Sequence, residues 1–247
     1  MKVEWFKEYS HCLNRVMEWN VYWHAGQVIL AFPSQNGRYF DFANNGLVDT
    51  IKDLVEAGRV QVVCCDSIDT ECWSDENGNG EHRTYMMEQW YYYIVNELIP
   101  RIYQINPSAK EKGIFTTGCS MGASHAVNYM FRRPDIFCGT IALSGYYDSD
   151  MFFKDYHDER LYNNSPIQYL NGMSYDHPHV EMYRKCKIVL CTGQGAWEDD
   201  MIRSTTRMKE LLEYKDIPAW IDFWGYDVNH DWPWWLIQFP YFVERVV

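Results

Sequence analysis

The stretch Lys112–Arg132, KGIFTTGCSMGASHAVNYMFR, places a serine between two glycines in Gly118-Cys119-Ser120-Met121-Gly122. The apolar and β-branched run before the serine predicts a strand, and the apolar pattern after it predicts a helix. A serine on a sharp strand-to-helix turn has strained backbone angles, and the close approach of its neighbours two positions away requires glycine there. The stretch therefore predicts a nucleophilic serine, Ser120, raised above the end of a buried strand.

Apolar runs alternate with helical patterns along the rest of the chain. Each run has five or six residues and is rich in β-branched side chains, which is typical of buried parallel strands. They are Gln27–Phe32, Val60–Cys65, Gly113–Thr117, Gly139–Leu143, Lys187–Cys191 and Ala219–Phe223. Alternation up to about Trp23 predicts antiparallel strands before them. The whole predicts an α/β fold, a mostly parallel sheet of about eight strands with helices on both faces.

Amphipathic stretches between these runs predict the helices. The first has Leu47, Ile51, Leu54 and Val55 on one face and is closed by Gly58. The second is a long helix at 81–105 that ends near Pro100 or Pro107. The others lie at 121–132, around Met201, Thr205, Met208 and Leu212, and at Trp232–Val246. Residues 144–185 show little periodicity, and loops of that length are usually lids or binding loops. We therefore predict one domain, 1–247, with a lid-like excursion at about 144–185.

Charge and cysteine usage narrow the partners and the compartment. Lys and Arg number 22 against 34 Asp and Glu, a net charge of −12, and no basic cluster exceeds two residues, which argues against nucleic acid and anionic membranes. No apolar run approaches the roughly 20 residues of a membrane span, and Met1–Trp5 lacks the apolar core of a signal peptide. Eight cysteines without a Cys-x-x-Cys pair favour reduced thiols. We expect a cytoplasmic protein.

A nucleophilic serine needs a base and an acid, and in a doubly wound hydrolase these follow it along the chain, acid first. His230 lies in Gly225–Trp232, after the last predicted strand and before the last helix, where the base is expected. The loop Thr192–Asp200 follows the preceding strand and ends in three carboxylates. We choose Glu198, which comes first; the alternatives are Asp199 and Asp200, with Asp148 and Asp227 more distant.

The other histidines fit these roles less well. His125 follows Ser120 by five residues on the same predicted helix and is expected to be packed. His157, His177 and His179 precede the predicted acid, and no matching set of metal ligands accompanies them. We predict neither metal nor cofactor.

Two backbone N–H groups are expected to bind the oxyanion. One is that of Met121, at the start of the helix after the serine. The other comes from the loop Phe32–Arg38, where Pro33 has no N–H. That leaves Ser34, which we favour, or Gln35.

The elbow Gly118–Gly122, the loop Gly193–Glu198 and the ending Trp224–Trp232 resemble the putative-esterase branch of the α/β-hydrolases. This branch includes D-type esterases, S-formylglutathione hydrolases, feruloyl and acetyl-xylan esterases, and mycolyltransferases. The resemblance covers nearly the whole chain. It implies an α/β-hydrolase fold, carboxylic-ester hydrolysis, and a triad of Ser120, Glu198 and His230.

The residues and the resemblance together predict a serine esterase that acts on a small-molecule ester through an acyl-enzyme. An acyltransferase, a peptidase or a thioesterase would use the same triad, and a non-catalytic binding module on this fold is the alternative outside enzymes. Aromatic residues are 17% of the chain. Several fall in predicted loops at the carboxyl ends of strands, where they would wall a pocket or pack under the excursion. They are Trp73, Tyr146, Tyr147, Trp197 and Trp232.

Overall fold

The protein's structure, a computed structural model, describes residues 1–22 and 25–247. In this part of the chain eight strands form one sheet: β1 (Val3–Ser10), β2 (Arg15–Tyr22), β3 (Gln27–Phe32), β4 (Val60–Cys65), β5 (Ile114–Cys119), β6 (Phe137–Leu143), β7 (Lys187–Thr192) and β8 (Trp220–Phe223). Their order in the sheet is β1-β2-β4-β3-β5-β6-β7-β8. The β1–β2 and β2–β4 pairs are antiparallel, and the other five pairs are parallel. The predicted mostly parallel sheet is confirmed.

Helices cover both faces of this sheet. In the described residues they are α1 (Asp41–Asn44), α2 (Leu47–Thr50), α3 (Lys52–Glu56), α4 (Gly80–Tyr93), α5 (Ile99–Ile105), α6 (Ala109–Lys112), α7 (Met121–Arg132), α8 (Asp150–Phe153), α9 (Glu159–Asn163), α10 (Pro166–Gly172), α11 (Pro178–Tyr183), α12 (Asp199–Tyr214) and α13 (Trp232–Val246). Successive side chains of a strand point to opposite faces. Leu30 and Phe32 of β3 therefore join the core under α4 and α7, whereas Ile29 and Ala31 join the core under α13.

Two strands that lead to predicted site residues, β5 and β7, end later than predicted. β5 starts one residue later than predicted and continues to Cys119, so the strand runs directly up to Ser120. β7 extends one residue further than predicted, to Thr192, which the sequence analysis had placed at the start of the loop Thr192–Asp200. Trp23, at which the predicted antiparallel segment ends, lies outside the described residues.

Two predicted helices are divided in the structure. The helix around Leu47 is α2 and α3, which meet at Ile51, a residue with non-helical backbone angles. The helix at 81–105 widens at Ile94–Leu98 into a π-helical segment between α4 and α5. Pro100 follows that segment. The wider turn accommodates the missing N–H of the proline, so the helix continues to Ile105 and ends before Pro107.

The segment 144–185 contains the four short helices α8 to α11. Each has four to seven residues, too few for a helical period to stand out in the sequence. Within the segment, α9 packs against α4, and α10 against α7 and α12. That the chain is one domain and that this segment is a lid stay predictions.

The described cysteines are all unpaired thiols. Cys12 and Cys138 are half-buried, and the other six are buried. No helix in residues 1–22 and 25–247 is long and apolar enough to cross a membrane.

Candidate active site

Ser120 lies on a sharp turn between β5 and α7. Its backbone angles, φ 57° and ψ −124°, belong to a region that residues other than glycine rarely adopt. A Cβ atom at Gly118 would lie 2.3 Å from the carbonyl carbon of Gly122, and one at Gly122 would lie 2.4 Å from the carbonyl oxygen of Phe32. Close backbone contacts therefore require both glycines of the motif.

His230 approaches this serine from the loop between β8 and α13. Its Nε2 atom lies 2.8 Å from Ser120 Oγ, which is hydrogen-bond distance. The imidazole is 16% exposed, and the ring of Trp235 packs edge-on against it with centroids 5.0 Å apart. The fold thus brings together the predicted nucleophile and the predicted base, which are far apart in the sequence.

Glu198 lies beside the other ring nitrogen of His230. Its side chain is fully buried, and its Oε2 atom is 3.5 Å from His230 Nδ1. That distance fits an ion pair but exceeds a good N–H···O hydrogen bond. Within the described residues Nδ1 consequently has no hydrogen-bond partner.

The alternative acids lie elsewhere. Asp199 and Asp200 begin α12, where the first is exposed and the second pairs with Arg203. Asp148 pairs with Arg207 at 3.0 Å, and Asp227 is exposed. The structure therefore brings Glu198 to His230, rather than any of these four carboxylates.

Three residues to which the sequence analysis assigned no role hold Glu198 in place: two bind its carboxylate, and the third binds one of these two. Ser144, directly after β6, donates its hydroxyl to Glu198 Oε1 at 2.6 Å. Trp235 of α13 in turn donates its indole N–H to Ser144 Oγ at 3.1 Å. Thr192 adds a hydroxyl to Oε2 at 2.8 Å. No local pattern announces these contacts, because they join the ends of two strands and a helix that are distant in sequence.

Backbone hydrogen bonds join the loop Gly193–Glu198 to the loop Gly225–His230; we call them the acid loop and the base loop after the roles predicted for Glu198 and His230. The Gly195 N–H donates to the Val228 carbonyl at 2.9 Å, and the His230 N–H donates to the Ala196 carbonyl at 3.0 Å. A Cβ atom at Gly193 would lie 2.1 Å from the same Val228 oxygen. The glycines of the acid loop thus allow the two backbones to lie side by side.

The expected oxyanion donors belong to the start of α7 and to the loop that follows β3. Met121 is the first residue of α7, so its N–H has no acceptor within the helix. The Ser34 N–H donates to Asp41 Oδ2 at 3.0 Å. The preference for Ser34 does not fit this contact, which depends on the fold of the loop around Asp41 and is invisible in the sequence. The N–H of Gln35, the other candidate, has no acceptor within the described residues.

Residues 12–245 match the family model described as "Putative esterase". The chain belongs to this esterase family. Among solved structures, a ferulic acid esterase covers 100% of this chain and 98% of its own, with a TM-score of 0.74 and 18% identity. An S-formylglutathione hydrolase from Staphylococcus aureus covers 98% and 96%, with a TM-score of 0.71 and 14% identity. MPT51 of Mycobacterium tuberculosis covers 100% and 98%, with a TM-score of 0.68 and 12% identity. These likenesses confirm the α/β-hydrolase fold. No curated protein sequence matches the chain significantly.

The aromatic residues expected around the site of this esterase divide into three groups by burial. Trp73 and Tyr147 are buried in the core, and Trp73 packs edge-on against Phe152 and Phe153 of the segment 144–185. Trp232 and Tyr146 are half-buried. Trp197, directly before Glu198, is 84% exposed and has a positive φ of 67°. A positive φ is strained for a bulky residue, and the exposed indole directly precedes Glu198 in the sequence.

The histidines that the triad does not use have other surroundings. His125 is buried and its Nε2 atom lies 3.0 Å from Asp69 Oδ1, so the expectation of a packed residue fits its position. His157 is exposed. His177 and His179 pack edge to face at the start of α11, and burial lowers the pKa of His179. Within the described residues, no group of three His, Cys, Asp or Glu side chains could hold a metal ion.

A cavity of about 700 Å³ lies away from the triad. It is lined by α4, by the last residues of α7 and by the segment from Tyr162 to Tyr183. Arg132, at its wall, ends the helix that Ser120 begins, and a 12-residue helix spans roughly 18 Å. This cavity is therefore separate from the Ser120 site.

Proposed function

We propose that this esterase is a serine carboxylic-ester hydrolase that forms an acyl-enzyme at Ser120. The single observation that carries the proposal is the 2.8 Å contact between Ser120 Oγ and His230 Nε2, with the buried Glu198 at the other ring nitrogen. A nucleophile, a base and an orienting acid in this order form the minimal unit of acyl transfer. The substrate class is a small-molecule carboxylic ester.

In the acylation step, His230 Nε2 takes the Ser120 proton as Oγ attacks the ester carbonyl carbon. Glu198 holds the imidazole in the tautomer that leaves Nε2 unprotonated and stabilises the imidazolium that forms. The carbonyl oxygen becomes an oxyanion, and the N–H groups of Met121 and Gln35 donate to it. The tetrahedral intermediate collapses when His230 returns the proton to the departing alcohol oxygen.

Deacylation repeats these steps with water as the nucleophile. His230 removes a proton from water as it attacks the acyl carbon, the same two N–H groups bind the second oxyanion, and Ser120 leaves with its proton restored. These steps need neither a metal nor an organic cofactor, because every proton passes between the substrate, water and the named side chains.

The rim of the site supports an ester with a large apolar or ring-shaped group. Trp197 on the acid loop and Tyr226 on the base loop are 84% and 83% exposed. Large aromatic side chains without packing partners beside a reacting centre are suited to contact a substrate group of similar shape.

Fluorophosphonate labelling tests the nucleophile. The wild type should become labelled, whereas Ser120→Ala should not, since the probe bonds to an activated serine oxygen. Hydrolysis of p-nitrophenyl acetate should fall by about 10³-fold or more in Ser120→Ala and in His230→Ala. Equal labelling of wild type and Ser120→Ala would exclude the proposal.

Two further measurements test which carboxylate is the acid and whether water is the acceptor of the acyl group. Glu198→Gln should slow hydrolysis strongly, whereas Asp199→Asn, one residue away and exposed, should leave the rate near that of the wild type. Product analysis with an added alcohol or amine tests acyl transfer. Free acid as the main product supports a hydrolase, and a transferred acyl group would make the enzyme an acyltransferase.

A further inference from the structure

A histidine and an aspartate outside the triad form a buried polar pair. His125 is 3% exposed and Asp69 is 1% exposed, and His125 Nε2 lies 3.0 Å from Asp69 Oδ1. The imidazole is surrounded by the rings of Phe32, Trp73 and Trp90, with centroids 4.8 to 6.2 Å away. Asp69 Oδ2 has no hydrogen-bond partner in the described part of the chain. Such a pair is costly to bury, and apolar residues of similar size would serve packing alone at least as well.

The aspartate belongs to a loop that binds the segment with the proposed oxyanion donor. Asp69 lies in a short 3₁₀ turn after β4, and its carbonyl accepts the Ser74 N–H at 2.8 Å. Ser74 Oγ in turn accepts the side-chain amide of Gln35 at 3.0 Å. Ser67, two residues before Asp69, donates its hydroxyl to the Gly37 carbonyl at 3.1 Å.

A third contact joins the same two segments nearby. Asp66 Oδ1 accepts the Tyr39 N–H at 3.3 Å and the Arg38 Nε–H at 2.5 Å. The loop 66–74 therefore holds the segment 35–39 at three places. Its one polar side-chain contact with α7 is that between Asp69 and His125, among the described residues.

The histidine belongs to the helix that carries the other proposed donor. His125 lies one helical turn beyond Met121 on α7, and the start of this helix touches the backbone of Phe32 and Pro33 through Gly122. The two oxyanion donors thus come from separate segments, and both segments connect to the His125–Asp69 contact.

We propose that His125 and Asp69 are positioning residues that fix the distance between the Gln35 N–H and the Met121 N–H. The inference rests on the proposed function. Neither side chain touches the substrate; the pair locks the loop 66–74 to α7, and that loop holds Gln35. Oxyanion donors act only within a few tenths of an ångström of their productive positions. Loss of the pair therefore weakens binding of the transition state more than binding of the substrate.

The test replaces both members by apolar residues of similar size, Asp69→Leu with His125→Phe, so that no unpaired charge remains buried. Removal of one oxyanion donor costs about 10²–10³-fold in kcat, and a misplaced donor should cost part of that, about 10- to 100-fold. KM for p-nitrophenyl acetate should stay within about two-fold. The affinity for a trifluoromethyl ketone, which forms an oxyanion on Ser120, should fall by the same factor as kcat. Asp69→Asn, whose amide oxygen can still accept from His125, should restore most of the rate.

A matched control removes another buried polar pair that begins on β4. Asn106 donates to Gln61 Oε1 at 2.9 Å, and the double variant Gln61→Leu/Asn106→Leu should change stability but not kcat or inhibitor affinity. The variant Ser67→Ala/Ser74→Ala changes two half-buried residues outside the hydrophobic core and breaks the contacts of the loop 66–74 with Gly37 and Gln35. It should lower kcat by several-fold with KM unchanged, and it tests the proposal even if the core variant does not fold.

Unchanged kcat in the folded Asp69→Leu/His125→Phe variant, or in Ser67→Ala/Ser74→Ala, would overturn the positioning role of His125 and Asp69. A change confined to KM would overturn it as well. A fall in kcat without loss of ketone affinity would also overturn it. The proposed function fails in a different way, through hydrolysis that persists in Ser120→Ala. The two hypotheses are therefore distinguishable in the same set of assays.

Discussion

Replacement of Ser144 by alanine isolates the hydroxyl that supports the buried Glu198. The hydroxyl donates to the carboxylate at 2.6 Å and accepts the Trp235 indole N–H at 3.1 Å, and Ser144 and Glu198 are both fully buried. A hydrogen bond to a charged group contributes about 1.5–3 kcal/mol, and a buried N–H left without an acceptor costs about 1 kcal/mol or more. Ser144 has a positive φ of 55°, which costs an alanine about as much as a serine. The lost hydrogen bonds therefore set the change, and the free energy of unfolding should fall by about 2–4 kcal/mol.

Urea unfolding followed by circular dichroism measures this change. The midpoint should move to lower urea at an unchanged slope, which shows that stability and not compactness has changed. The exposed Ser174 provides the control, because Ser174→Ala should stay within about 0.5 kcal/mol of the wild type. A double-mutant cycle with Trp235→Phe should give a coupling energy of about 1 kcal/mol, since the two residues share one hydrogen bond.

The same variant should slow catalysis, because Glu198 loses the donor that fixes its Oε1 atom. A displacement of 1 Å can cost about 10²-fold in rate, and the remaining donor on Oε2, Thr192, should limit the loss in kcat to about 10-fold. A stability loss below about 0.5 kcal/mol together with unchanged kcat would refute the role assigned to Ser144.

Three further predictions concern the oxyanion donor, the thiols and the rim. Gln35→Pro, which lacks the N–H, should lower kcat by about 10²–10³-fold, whereas Gln35→Ala should lower it far less; similar rates in the two variants would exclude the Gln35 N–H as a donor. Burial raises the pKa of Cys12 and of Cys138 to about 11, and it raises the pKa of the other six thiols as well. At pH 8 the native protein should therefore react slowly with a thiol-specific disulfide reagent. The reaction should accelerate as the pH rises toward 11, because the thiolate then forms, and unfolding should make all eight thiols react. Rapid reaction of more than two thiols in the native protein would contradict the described burial. Trp197→Ala should raise KM for a naphthyl ester several-fold and leave KM for ethyl acetate unchanged. Tyr214, which is 75% exposed on α12, provides the control, because Tyr214→Ala should change neither KM. Equal KM values for the naphthyl ester in Trp197→Ala and the wild type would exclude contact between Trp197 and the substrate.

The sharp turn at Ser120 and the position of His230 beside it could be predicted because each is encoded locally. A glycine on either side of Ser120 reports a close backbone contact, and His230 follows a strand at the edge of the sheet where loops converge. Order along the chain then indicated where the acid should lie. These signals depend on spacing and strand periodicity, both of which a sequence displays directly.

The remaining features depend on contacts between distant segments. The preference for Ser34 over the adjacent Gln35 could not anticipate that Asp41 folds back and accepts the Ser34 N–H. Ser144 appears as an ordinary serine after a strand until α13 brings Trp235 to it. The helices of the segment 144–185 escaped prediction for a different reason, since none is long enough to display two full periods.

The backbone hydrogen bonds between the acid loop and the base loop constrain how this enzyme can be redesigned. An insertion at Gly195 would displace Val228, and a change in the length of the base loop would shift the Ala196 carbonyl that the His230 N–H reaches. The conformations of the two loops therefore depend on each other. A graft that alters substrate preference should exchange both together, whereas a single-loop library at either position would consist mostly of enzymes with a displaced imidazole.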